Sequence, residues 1–165
     1  MKRSFLVQLM ENYHEYFHLG FGLVSLLITY LIFPSSGIIL MFFIAVLASF
    51  LPDADHLFFI FLYGRNTEYA TQVRLNLFKY GLPKAIYYVR QNHKKNNFIL
   101  SHNILTPLLS LALFFYYVNH SSAYFAVFWL SFTAHFIFDI IEDYLALGGL
   151  NPNWFLRFSS KLRQS

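Results

Sequence analysis

Residues 123–147 read AYFAVFWLSFTAHFIFDIIEDYLAL, and this stretch constrains the fold more than any other. Its 25 residues would make a helix of about 37 Å, enough to cross a hydrocarbon core of roughly 30 Å. Among the apolar side chains sit His135, Asp139, Glu142 and Asp143. His135 and Asp139 are four apart and Glu142 lies three further on, so these three share one helical face. Charge facing lipid is costly, so that face must look into a bundle or a wet cavity. The segment therefore predicts an all-α membrane protein with a polar interior.

Three more apolar stretches lie upstream, at approximately 17–33, 38–63 (interrupted near Pro52) and 104–118. With 123–147 they predict a polytopic protein of about four transmembrane helices, forming one membrane domain over 1–165. Composition agrees: 57% of the 165 residues are hydrophobic and 12% charged, about half the charge of a soluble domain. A very apolar soluble bundle is the alternative. The first stretch lacks a basic leader and a small-residue cleavage pattern, and Glu11, His14, Glu15 and His18 stand at its start, so it reads as a retained helix. There is no cysteine, which excludes disulfides, thiolate metal ligands and cysteine nucleophiles. No internal repeat or low-complexity tract is evident.

The twelve Lys and Arg residues are segregated. Lys2 and Arg3 precede the first span, and Arg157, Lys161 and Arg163 follow the last. Arg65, Arg74, Lys79, Lys84, Arg90, Lys94 and Lys95 lie between the second and third. The turns PSSG (34–37) and NHSS (119–122) hold none. The positive-inside rule then places both termini and the 64–97 loop in the cytoplasm of a multi-pass cell-membrane protein. Within that loop Tyr69, Val73, Leu77 and Tyr80 recur at helical spacing, Gly81-Leu82-Pro83 interrupts, and KAIYYVRQ starts a second short helix. Basic, aromatic, amphipathic helices of this kind suit the membrane interface, with membrane lipid as partner. Nucleic acid is not an expected partner, and the sequence leaves room for a homo-oligomer.

On this topology the acids and imidazoles gather at one side of the membrane. His14 and His18 open the first span. Asp53, Asp55 and His56 close the second, where Pro52 ends the helix and lets the chain turn inward. His102 begins the third, and His135 and Asp139 lie in the inner part of the fourth. Carboxylates and imidazoles without thiolate suit zinc, manganese or iron rather than a structural zinc cage. The expected ligand pool for a divalent metal, zinc first, is His18, Asp53, Asp55, His56, His102, His135 and Asp139. His102 doubles as a candidate acid–base group, and Asp55 is the second candidate catalytic residue. His93, His120, Glu11 and Asp143 read as surface or helix-end residues. A rival motif is His14-Glu15-Tyr16-Phe17-His18, an H-E-x-x-H pattern that would make two zinc ligands and a general base of an intramembrane peptidase. It would leave Asp53-Ala54-Asp55-His56 and His102 without a role.

These motifs resemble the membrane-bound metal-dependent hydrolases, the family of the LexA-regulated inner-membrane hydrolase. HLGFG at His18 matches the family's N-terminal His, and residues 51–56 match its Leu-Pro-Asp-x-Asp-His. HFIFD at His135 matches its His-x-x-x-Asp helix. A fourth signature, His-Arg-x-x-Thr/Ser-His-Ser, keeps Ser101 and His102, with Asn97 where its first His stands. The resemblance covers about 18–147 and implies a metal-dependent hydrolase. Placement at the headgroup level makes a phospholipid or related (phospho)ester the expected substrate. The non-enzymatic alternative is a membrane scaffold or assembly protein that keeps the metal site without turnover, and the absent His-Arg pair is its main support.

Overall fold

The computed structural model describes residues 5–92 and 99–155. The expectations for Lys2, Arg3, His93, Lys94, Lys95, Asn97, Arg157, Lys161 and Arg163 lie outside the described residues. The protein is all-α, with no strand among the described residues. Helix α1 (Phe5–Asn12) leads into α2 (His14–Ile32), and α3 (Ile38–Phe50) follows a short turn. At Pro52 the chain tightens into a 3-10 turn over Leu51–Asp53, resumes as α4 (Ala54–Phe58) and widens into a π turn over Phe59–Tyr63. Then come α5 (Glu68–Tyr80), α6 (Leu82–Asn92), α7 (Leu105–Asn119) and α8 (Ala123–Leu147).

Three segments are long and apolar enough to cross a membrane: His14–Ile32, Ile38–Tyr63 and Ala123–Leu147. The first begins earlier than the sequence suggested, because His14 and Glu15 already belong to it. The fourth expected span is the 15-residue α7. At about 22 Å it is shorter than a typical hydrocarbon core. The outward faces carry rows of large apolar side chains, among them Leu27, Leu31, Ile39, Phe43, Leu47 and Leu109, all more than half exposed. Surfaces this apolar are covered by lipid or protein in a working molecule.

Helix α8 is the hub, packed against α2, α3 and α7. The seam between α2 and α3 uses small residues, as membrane helices do where backbones approach closely. Gly22, Ser25 and Thr29 on α2 are buried, as are Ala45, Ala48 and Ser49 on α3. A Cβ at Gly22 would overlap Ser49 Oγ and lie 3.3 Å from the Ala45 carbonyl. The buried hydroxyls of Ser25, Thr29 and Ser49 donate to carbonyls one turn back on their own helices, so they cost nothing unsatisfied. Leu26, Met41, Ala45, Ala123 and Val127 close the apolar end of this seam.

The loop after the second span folds as the α5–α6 hairpin. Thr67 caps α5 by accepting from the Ala70 N–H, and Gly81 ends it at φ 86, a value that favours glycine. Tyr69, Ala70 and Val73 pack on Phe59, Ile60 and Ile99. Burial pushes the Tyr69 phenol up, so it stays neutral. Arg74 donates to the carbonyls of Ile60 and Arg65, at 2.7 and 2.6 Å, and so covers backbone acceptors that the irregular turn leaves open. Phe78, Leu82 and Tyr87 stay at least 60% exposed, an apolar face pointing away from the core.

Candidate metal centre

The centre is built around Asp139. The i, i+4 spacing on α8 brings His135 Nε2 to 3.1 Å from Asp139 Oδ2. From the segment before α7, His102 Nε2 reaches the same oxygen at 3.3 Å. From α2, His18 Nε2 lies 3.3 Å and His14 Nε2 3.9 Å from Oδ1. Asp53, at the Pro52 break, places Oδ1 3.8 Å from His135 Nε2. His18 and His135 are almost wholly buried, and their rings stack with centroids 3.7 Å apart.

The outer nitrogens of three of these rings are already engaged. His135 Nδ1 donates to the Ser49 carbonyl at 2.7 Å, His14 Nδ1 lies 3.3 Å from Glu142 Oε2, and His102 Nδ1 lies 3.1 Å from Ser101 Oγ. Partners of this kind fix a metal-ligating imidazole, leaving Nε2 to face the ion. A carbonyl only accepts, so His135 Nδ1 must carry a hydrogen, and a neutral ring then aims its Nε2 lone pair at the Asp139 carboxylate. In that neutral form two acceptors face each other there, and His135 Nε2 has no hydrogen-bond partner; the other carboxylate oxygen, Asp139 Oδ1, has none either. A cation between imidazole and carboxylate would resolve the conflict. A tetrahedral ion with ligand bonds of 2.0–2.1 Å has ligand–ligand edges of about 3.4 Å, close to the 3.1–3.3 Å separations around Asp139. His18, His135 and Asp139 thus form a buried group that could hold a metal ion, and His14, His18 and Asp53 form a second, half-buried one.

The centre opens on a small cleft of about 50 Å³. His14, Asp53 and Asp139 line its floor, His56 and His102 one wall, and Asn153 and Trp154 another. The last wall is a 3-10 turn, Pro152–Trp154, that folds back beneath α8. Asp143 Oδ2 accepts from both Asn151 Nδ2 and the Trp154 indole, each at 3.0 Å, and the indole lies 5.6 Å from the His102 ring. Sequence reading did not find this wall. Asn151-Pro152-Asn153 after Gly148-Gly149 was its only signal, since an Asn before a Pro favours a turn, and Asn151 Oδ1 does accept from the Asn153 N–H.

Of the seven expected ligands, His18, His102, His135 and Asp139 meet in the centre, Asp53 faces it, and His56 stands on the cleft wall, its ring 5.0 Å from that of His102. Asp55 is not brought to the centre. Its Oδ1 accepts from the Tyr63 hydroxyl at 2.8 Å and its Oδ2 from the Ser101 N–H at 2.7 Å. The cause is local: Asp53 and His56 are three apart and share a face of this helical turn, whereas Asp55 is turned the other way. Its place is beside the loop that carries His102. The Leu100 N–H also donates to Tyr63 Oη, at 3.1 Å. Tyr63→Phe is therefore expected to speed amide exchange at Leu100 and Ser101 and to weaken divalent-metal binding by ~10-fold through a displaced His102. Unchanged exchange at both amides would show that the loop is held otherwise.

His14 and Glu142 enter the centre although neither stood in the expected ligand pool. His14 belongs to the H-E-x-x-H pattern, whose two imidazoles do meet, Nε2 to Nε2, at 2.8 Å. Its Glu15 does not join them: Oε1 pairs with Arg90 of α6 at 2.6 Å, half-exposed. His120 lies in an exposed turn against Tyr116. Compared with family models, with curated proteins and with solved structures, the chain matches none.

Proposed function

We propose that this protein is a membrane-embedded, metal-dependent hydrolase of the kind its motifs resemble. It acts on an ester or phosphoester bond of a membrane lipid or related amphiphile at the cytoplasmic headgroup level. One observation carries the reading: four imidazoles, three of them on helices apolar enough to span a bilayer, converge on the Asp139 carboxylate beside a cleft. Zinc suits these nitrogen and oxygen donors first, with manganese or iron as alternatives. A bound divalent ion supplies Lewis acidity toward a carbonyl or phosphoryl oxygen and acidifies water. His18, His135 and Asp139 are the buried donors for metal here, while Ser49 and Glu142 orient the imidazoles of His135 and His14. His56, on the cleft wall beside His102, is placed to hand a proton to a departing alcohol. Asn153 and Trp154 would shape the space that receives the headgroup.

The same proposal sets both termini and the α5–α6 hairpin on the cytoplasmic side, with α7 as a fourth crossing; the segregation of Lys and Arg supports this. The exposed Phe78, Leu82 and Tyr87, with Lys79 and Lys84 beside them, suit a hairpin lying in an anionic headgroup layer. The peptidase reading lacks its base, because Glu15 is committed to Arg90. Full-length protein, reloaded with zinc or manganese, is to be assayed on vesicles of mixed phosphatidylethanolamine and phosphatidylglycerol. The expected result is release of a lipid fragment, abolished by chelation and within about threefold of wild type in Glu15→Gln, which loses a half-exposed ion pair of ~1 kcal/mol or less. Cleavage of a membrane peptide that disappears in Glu15→Gln would overturn the assignment. Bound metal without hydrolysis of either substrate class would leave the scaffold reading in its place.

A further inference from the structure

We propose that the centre holds two divalent ions, bridged by the carboxylate of Asp139. The inference rests on the metal-dependent reading and adds the second ion, and with it the division of ligands.

The two oxygens of Asp139 face different pairs of imidazoles. Oδ1 looks toward His14 and His18, at 3.9 and 3.3 Å, both from α2. Oδ2 looks toward His102 and His135, at 3.3 and 3.1 Å, from the segment before α7 and from α8. A carboxylate serving one ion would gather the imidazoles on one oxygen or straddle them. Here each oxygen has two of its own. Asp53 stands between the halves: it groups with His14 and His18 on one side, and its Oδ1 is 3.8 Å from His135 Nε2 on the other.

Donor count points the same way. His14, His18, Asp53, His102, His135 and Asp139 offer more ligands than a tetrahedral ion accepts. Two buried carboxylates, Asp139 and Glu142 behind His14, with the partly exposed Asp53 beside them, are a large negative charge to place around one dication. Paired ions about 3.5–4 Å apart share a bridging carboxylate in many hydrolytic centres and clamp both the attacking and the departing oxygen of a displacement. His14 and His18 would therefore serve one ion with Oδ1, and His102 and His135 the other with Oδ2. The outer-nitrogen partners of His14, His102 and His135 already hold those rings for it.

The test uses the full chain in detergent, stripped of metal and titrated with Mn²⁺ alone. Bound metal is counted by atomic emission and coupling is read by electron paramagnetic resonance. Wild type is expected to saturate at two equivalents, with the six-line signal of isolated Mn²⁺ replaced by a spin-coupled pattern. His14→Ala and His102→Ala, at unchanged helix content, are each expected to keep one uncoupled ion, a halving of bound metal. Saturation of wild type at one equivalent overturns the two-ion centre and leaves the metal-dependent reading standing. Two uncoupled ions overturn the Asp139 bridge, and loss of both ions from either variant overturns the division of ligands. No bound metal at all overturns this inference and the proposed function together.

Discussion

Asp139→Asn is expected to weaken divalent-metal binding by more than ~100-fold while leaving the helix content unchanged. Loss of a group that merely orients a ligand costs 10–100-fold, and Asp139 is the residue to which every imidazole of the centre turns. An asparagine keeps the shape but removes the charge. It also presents an NH₂ group where an oxygen stood, so one of its faces can no longer accept a cation. The fold should survive, because the new N–H groups can donate to imidazole lone pairs and no buried charge is left without a partner. Calorimetric titration of the stripped protein with Zn²⁺ measures the affinity, and circular dichroism the helix content. Wild-type affinity in this variant would remove Asp139 from the centre.

The second large effect lies away from the ligands. Gly22→Val is expected to destabilise the protein by ~1–3 kcal/mol or more, the usual range for overpacking. The new side chain would meet Ser49 and the Ala45 carbonyl in a seam that has no slack. Ser49 can rotate its hydroxyl away, but its backbone carbonyl is the acceptor that fixes His135. The variant should therefore lose metal affinity as well as stability. Gly20 is the internal comparison: nothing lies within 4 Å of a Cβ there, so Gly20→Ala should stay within ~1 kcal/mol of wild type. Thermal unfolding in detergent, with and without metal, reads both effects. Equal stability of the two variants would mean that α2 and α3 do not pack closely at Gly22.

Some of this centre could be read directly from spacing. His135 and Asp139 lie one turn apart on a long apolar helix, and neither can be placed anywhere but inward. His18, His102 and Asp53 followed from topology, since alternate crossings bring the start of one helix beside the end of the next. Asp55 misled because a motif read as a string of letters hides which residues share a face. His14 was passed over for the opposite reason: it was weighed as half of a peptidase pair with Glu15, and an exposed Arg90 on a separate hairpin takes Glu15 out of that pair. Nothing local announces such a partner. Trp154 and Asn153 were illegible because a polar, aromatic segment after a final helix looks like a solvated tail until the Asp143 carboxylate is seen to hold it. The irregular stretch at Pro52 was visible as a break, but its repair by Arg74 depends on a side chain from the next helix.

The centre joins helices from opposite ends of the chain, α2 and α8, and this bears on how such a molecule is made. A ribosome feeding a membrane delivers α2 and α3 before α8. An aspartate at the middle of a lone helix costs about 2.5–3.5 kcal/mol to insert, and α8 carries Glu142 and Asp143 besides. By the time that helix emerges, three of the imidazoles that receive Asp139, those of His14, His18 and His102, have already been made. The order of synthesis thus lets the most acidic of the three apolar spans arrive at a prepared berth, where lipid alone would resist it.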